Sequence, residues 1–334
     1  IMFFSWYKKF SSQPHQPFFT SGILFLILFM SLFVSVYSNF LVLDNSVLTY
    51  HAYTMVFVIF IQFFLGFLFV VFPRFLIQAE IQIQEYMKQF LLYFFASLGI
   101  FLTLIFYSKV TFIFQILMLI AQIMSFKLLY SIHKKSIVKV KEDTKWVLIS
   151  LFSGHVFHSL FIISSLNFPY AYELSRFAID GGFYLFLFMV IFVISQRMIP
   201  FFTTAKAPNY VANKSVNLLT IIFSLLAFKV ILLAFDNAKL NLLADIPLFI
   251  MITRELIKWK LPFFKSPAIM WVLFLGLYWI PVAFFMSIIE GLMAFYNPSI
   301  IFEKAVIHTM ALGYFLTVLI GFGTRVILGH SGTT

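Results

Sequence analysis

The chain carries seven histidines, His15, His51, His133, His155, His158, His308 and His330, and no cysteine. Neutral imidazole is the usual protein ligand for haem iron and also suits copper. The lack of cysteine excludes disulfides, thiolate zinc sites and cysteine-held iron–sulfur clusters. His155 and His158 are spaced i, i+3, which puts both rings on one face of a helix. Arg197 and Arg325 have the planar, bidentate geometry that clamps a carboxylate or a propionate, and His330 lies close to Arg325 in sequence. Lys229 and Asp245 are ionisable residues in neighbouring apolar stretches, where charge is expensive and by default functional, and the two are expected to be able to pair. There is no Gly-rich phosphate loop and no G-x-S-x-G turn, so soluble nucleotide and serine-hydrolase chemistry find no footing.

The elements that position these residues follow from composition. Of the 334 residues 62% are hydrophobic and only 10% are charged, and the mean hydropathy is +1.02. A soluble domain is about a quarter charged, and a disordered chain is polar and aromatic-poor; this chain is 21% aromatic. An all-α, polytopic transmembrane helix bundle remains. A span needs roughly 20 apolar residues, and about ten such stretches occur, near 19–43, 46–72, 89–108, 110–131, 146–168, 179–200, 215–235, 240–257, 267–291 and 301–328. No stretch alternates with period two, which argues against a β-barrel. Residues 1–334 are expected to form a single transmembrane domain with no separate soluble part.

Lysine and arginine set the orientation. With this span order, 18 of the 23 lie on the side of the amino terminus, four (Lys109, Arg176, Lys239, Lys304) lie on the other, and Lys229 is inside a span. The amino terminus is therefore cytoplasmic, and the net charge of +11 reads as topology rather than nucleic-acid binding. The first apolar run is too long for a cleaved signal peptide and lacks a small-residue cleavage site, so it is a retained helix. At 1.5 Å rise per residue, His51, His158 and His308 fall roughly 7–13 Å inside the outer interface, and His155 lies one turn deeper. His133 is expected in a solvated loop, and His15 and His330 at the inner interface beside lipid headgroups.

Six stretches resemble the NnrS family, in family order. His308-Thr309-Met310-Ala311-Leu312-Gly313 and Thr324-Arg325-Val326-Ile327-Leu328-Gly329-His330-Ser331-Gly332 are similar to its late H-x-L-T-x-G and T/A-R-V-x-L-G-H-T-G-R. Tyr50-His51-Ala52-Tyr53-Thr54-Met55 stands where the family has W-H-x-H-E-M. Gln196-Arg197-Met198-Ile199-Pro200-Phe201-Phe202-Thr203 resembles G-R-x-I-P-x-F-T, Phe157-His158 its F-H, and Pro17-Phe18-Phe19 its P-F-F. Tyr53 and Thr54 replace the family's second His and its Glu, and Thr333 its terminal Arg.

The resemblance implies a multi-pass protein of the bacterial inner membrane that holds haem b and copper and is linked to nitric oxide metabolism and nitrosative-stress tolerance. His51 and His308 would be the haem ligands, and His158 or His155 would serve a second metal. Arg197, Arg325 and His330 would hold propionates or form a cytoplasmic site. The partners implied are the lipid bilayer, nitric oxide or another small diatomic, and a respiratory redox partner; haem-dependent redox activity on nitric oxide is the enzymatic form of this reading. Family members carry about two more spans, so this chain, which begins at Ile1, is expected to lack some. A fainter likeness links His51-Ala52-Tyr53-Thr54-Met55 and Gly154-His155 to the main subunit of haem–copper oxidases. Two alternatives stand beside these. A transporter would use Lys229 and helices broken at Pro281 or Gly181-Gly182, and an accessory subunit of a respiratory complex would use its histidines only as hydrogen-bonding groups.

Overall fold

A computed structural model of the chain describes residues 2–43, 46–166, 168–207, 209–297, 299 and 302–331, the side chains of 2–4, 303 and 327–331 excepted. The described residues are helical, with no strands. We number the helices α1 Met2–Phe10, α2 His15–Tyr37, α3 Val47–Phe75, α4 Ile83–Phe106, α5 Thr111–Lys135, α6 Glu142–Ser164, α7 Ala171–Lys206, α8 Leu218–Leu233, α9 Ala238–Trp259, α10 Ala268–Met293 and α11, residues 303–331. Eight of them, α2–α7, α10 and α11, are long and apolar enough to cross a membrane, so the chain is a multi-pass membrane protein. The other two expected spans are helices of a different kind. Helix α8 is apolar but only 16 residues long, and α9 has the length but carries Asp245, Arg254 and Glu255.

Boundaries moved where an apolar run outlasts its helix. The first span is His15–Tyr37 rather than 19–43, because the backbone turns at Ser38 and Asn39 while Phe40 and Val42 continue the apolar run. Helices α4 and α5 are joined by one 3₁₀ turn, Ser108–Val110, the expected tight hairpin. Helix α1 was not anticipated. It is a short amphipathic segment ahead of the first span, with Lys8 and Lys9 in its last turn and Trp6 stacked on Phe10 at 4.9 Å, as an interfacial helix requires.

The chain divides into two compact units, residues 1–190 and 191–334, the division falling within α7. In the first, α3 is buried along nearly its whole length and packs against α2. Gly66 makes that approach possible: a Cβ there would lie 3.2 Å from the His15 Cα. His15 is accordingly only 4% exposed, inside the bundle rather than among headgroups. His133, expected in a loop, is in the last turn of α5, 3.0 Å from the Thr144 hydroxyl.

In the second unit α10 is the hub, packing against α9 and α11. Small residues again set the spacing, as membrane helices without a hydrophobic driving force require. A Cβ at Gly313 would lie 2.6 Å from the Trp279 ring. Between α8, α9 and α10 the pairing of Lys229 with Asp245 is realised: Lys229 Nζ lies 2.6 Å from Asp245 Oδ1, and the Ser287 hydroxyl donates to Oδ2 at 2.6 Å. Both charged side chains are at most 2% exposed.

Candidate functional site

Three helices widen into π-helical segments among the described residues: Thr54–Ile59 in α3, Gly182–Phe188 in α7 and Thr309–Leu316 in α11. Such segments are rare and are frequent at functional sites. His51 precedes the first by three residues, the Gly181-Gly182 pair opens the second, and His308 immediately precedes the third.

The first two π segments enclose His158, which is fully buried. Gln122 of α5 fixes the arrangement. Its amide nitrogen donates to the Phe57 carbonyl at 2.8 Å, inside the π segment, so its Oε1 faces His158 Nδ1 at 2.8 Å as acceptor. Nδ1 therefore carries the proton, and Nε2 accepts from the Tyr53 hydroxyl at 2.9 Å. Phe57 lies parallel to the imidazole at 4.8 Å and to Phe186 of the second π segment at 6.2 Å. Gly182 admits the Phe57 ring, whose Cζ would be 2.4 Å from a Cβ at that position. Both ring nitrogens of His158 are thus committed to protein partners. His155, one turn away, is half-buried and packs edge-on against Phe126 at 5.3 Å.

The polar groups of α5 continue inward. Ser125 donates to Gln89 Oε1 at 2.5 Å and lies 3.3 Å from the Tyr93 hydroxyl. Across the bundle, Gln62 donates to the Val58 carbonyl and to Ser97, and accepts from Ser21 at 2.7 Å. Unit 1 therefore contains an internal row of satisfied amides and hydroxyls at membrane depth. Sequence reasoning missed Gln122 as the partner of His158; the signal was the spacing of Gln115 and Gln122 by seven residues on one face of an apolar span.

His51 is half-buried, its ring 4.5 Å from Phe33 of α2, and belongs to unit 1. His308 belongs to unit 2. Its Nδ1 lies 2.6 Å from the Lys304 carbonyl, so Nδ1 is the protonated nitrogen and Nε2 carries the lone pair. One residue on, the Thr309 hydroxyl donates to the Met286 thioether at 3.3 Å. Deeper in the same segment Tyr314 donates to Ser195 at 3.1 Å.

At the opposite end of unit 2 the two arginine stretches meet. The Arg325 guanidinium sits over the Phe202 ring at 5.1 Å, and Phe202 is 6.3 Å from Phe322. Pro200 has no N–H, which releases the Gln196 carbonyl one turn earlier. Lys214 donates to that carbonyl and, at 2.9 Å, to Gln196 Oε1. Arg197, on the same turn, is half-buried. The backbone of His330 lies in the last turns of α11; its side chain and Thr333 are outside the described residues. No group of three or more His, Asp or Glu side chains that could hold a metal ion is present among the described residues.

No curated protein and no solved structure matches the chain. A family described as NnrS protein matches residues 9–334, taking in the stretches around His51, His158, Arg197, His308 and Arg325. On a match that covers nearly all of its length, the chain belongs to the NnrS family.

Proposed function

We propose that this protein binds haem in the bacterial inner membrane and takes part in the response to nitric oxide. The NnrS family is linked to nitric oxide responses, and the residues of this chain give that link a chemical form. The observation that carries the reading is His308. A hydrogen bond from Nδ1–H to a backbone carbonyl is the usual way a ligating imidazole is oriented, its tautomer fixed and its basicity raised. The Lys304 carbonyl, at 2.6 Å, supplies it. His51 is a separate candidate ligand, in unit 1. Haem held by His308 would supply an iron centre able to bind a diatomic gas.

The residues around these histidines orient and exclude. Phe33 packs against the His51 ring, and the Lys304 carbonyl restrains His308. Arg325, held over Phe202, lies 17 residues beyond His308, roughly 25 Å along α11, out of reach of the propionates of a haem on that histidine; with Arg197, and with His330 five residues on, it suits a separate anion at the cytoplasmic end. A copper ion held by protein side chains alone fits poorly. No three ligand side chains converge among the described residues, and His158 spends both nitrogens on Gln122 and Tyr53.

The test is an absorption spectrum of protein purified from haem-supplied cells, with and without nitric oxide. A Soret band that shifts on nitric oxide addition, and that is lost in His308→Ala, is expected. Protein without a Soret band would refute the reading.

A further inference from the structure

Unit 1 has a cavity of about 230 Å³ at its cytoplasmic end that the haem reading does not use. Its apolar floor is Phe69 and Val70 of α3 with Ile81 and Ile83, and its polar rim includes Glu80 and Gln82. Ser12, Gln13 and Tyr86 close the remaining side. Tyr86 is fixed there because its hydroxyl donates to the Ser11 carbonyl at 2.5 Å. Phe69 and Val70 lie four to five residues from Arg74 along α3, so the floor is roughly 6–8 Å deeper than the Arg74 level. That is the boundary between headgroups and acyl chains. Helix α1, docked on α4 through Phe10 and Phe90 at 5.7 Å, lies ahead of this rim in the chain.

The rim is built at a backbone cost. Ile77 has φ of 53° and is 83% exposed. A β-branched residue in the left-handed region is an outlier, and such strain is retained where surrounding structure demands it. Here it turns the chain sharply after α3, with the Gln78 amide returning to the Pro73 carbonyl at 2.9 Å. The turn brings Glu80 back to Arg74, Oε1 to Nη2 at 3.0 Å.

We propose that this cavity binds the headgroup of an inner-leaflet phospholipid that carries a primary ammonium, as an ethanolamine headgroup does. Among the described residues the only charged side chain lining the cavity is the Glu80 carboxylate, which repels an anionic headgroup and attracts a cation. A primary ammonium has three N–H donors, and Glu80, Gln82, Gln13 and Ser12 supply oxygen acceptors around one opening. A quaternary ammonium has none to give them. Arg74, paired to Glu80, presents the opposite charge for the lipid phosphate, so the ion pair matches a zwitterion end to end. The apolar floor receives the start of the acyl chains.

The experiment is native mass spectrometry of the full chain, delipidated in detergent and then offered ethanolamine, choline or glycerol phospholipids of identical acyl chains. One retained ethanolamine lipid is expected, preferred over the other two. Glu80→Gln and Arg74→Gln should each lower its occupancy about tenfold, the loss of one charge-assisted contact. Both side chains are more than half exposed, so neither variant should disturb folding. Val70→Phe, which fills the floor, should also lower it. Equal retention of the three lipids, or unchanged occupancy in Glu80→Gln, would overturn the proposal. Displacement of the lipid by submillimolar glycerophosphoethanolamine would overturn its lipid form and mark a site for the soluble headgroup; resistance to displacement supports the lipid.

Discussion

Removing one partner of the Lys229–Asp245 pair should be among the costliest single changes in unit 2. At 2.6 Å and an effective dielectric of 20, the gross attraction is about 6 kcal/mol. Much of that offsets the desolvation of the two ions, so the pair adds little net stability. Its loss is different: breaking a buried pair leaves one charge uncompensated and costs about 3–5 kcal/mol. Asp245→Leu adds the loss of the acceptor for Ser287, at 2.6 Å. If unit 2 melts cooperatively, roughly 2–4 °C per kcal/mol converts this into a fall of about 6–20 °C in Tm. Replacing both together, Lys229→Met with Asp245→Leu, removes the charges and fills the space, and such exchanges are often neutral or stabilising. The double variant should therefore melt above either single one. The assay is tryptophan fluorescence of purified protein during a thermal ramp in detergent, with Trp259 and Trp279 reporting on unit 2. Single variants that melt within about 1 °C of the parent chain, or a double variant no better than the worse single, would refute the reasoning.

Tyr53→Phe should cost about 1–3 kcal/mol by leaving the acceptor nitrogen of His158 unsatisfied; Gln122→Ala should cost more, since it strands both His158 Nδ1–H and the Phe57 carbonyl, and denaturation midpoints in mild detergent would rank the two. Gly313→Leu should destabilise by about 1–3 kcal/mol through overpacking against Trp279, whereas Leu312→Ala on the exposed face beside it should be near neutral; thermal midpoints again decide. Because the chain has no cysteine, single cysteines report topology on a clean background. Lys139→Cys should react with an impermeant maleimide only in inverted vesicles, and Lys109→Cys, in the exposed turn between α4 and α5, only in right-side-out ones; the reverse pattern would overturn the orientation.

Much of the architecture was legible because it follows from charge density and run length. Eight helices can be found by asking where about 20 residues avoid charge, and lysine counting orients them. Helix ends were less legible, because hydropathy cannot see a turn such as Ser38-Asn39 inside a run that stays apolar. Helix α9 shows both sides: Lys229, 16 residues earlier, was legible as a partner for Asp245 because both are polar in neighbouring apolar stretches, whereas Ser287, 42 later, was not. The site divides the same way. His308 could be singled out by residue type and depth, but the Lys304 bond that fixes its tautomer depends on helix geometry. The partner of His158 on Nε2 is 105 residues away, and no local pattern reveals it. Tyr53 drew attention only as a departure from the family's histidine; in the structure it completes a network.

That network explains why α3 can be π-helical where it is. Widening a helix disturbs the regular i→i−4 ladder and leaves carbonyls in need of partners, which water cannot supply at membrane depth. Gln122 supplies one, to Phe57, and in α11 Thr317 supplies another, its hydroxyl 3.3 Å from the Leu312 carbonyl. The residue that satisfies the α3 segment also fixes the tautomer of His158, and His158 in turn fixes the Tyr53 hydroxyl. Backbone distortion and side-chain chemistry are therefore coupled. A substitution at Gln122 should loosen the π segment and, three residues beyond its start, the setting of His51. Replacing Phe57 by Leu, which keeps the carbonyl but removes the ring stacked on His158, should leave the π segment intact. Comparing the haem spectra of Gln122→Ala and Phe57→Leu separates the two effects. If His51 is a haem ligand positioned by the backbone, only the first should shift the Soret band. Equal shifts would mean that packing, not the π segment, sets the ligand.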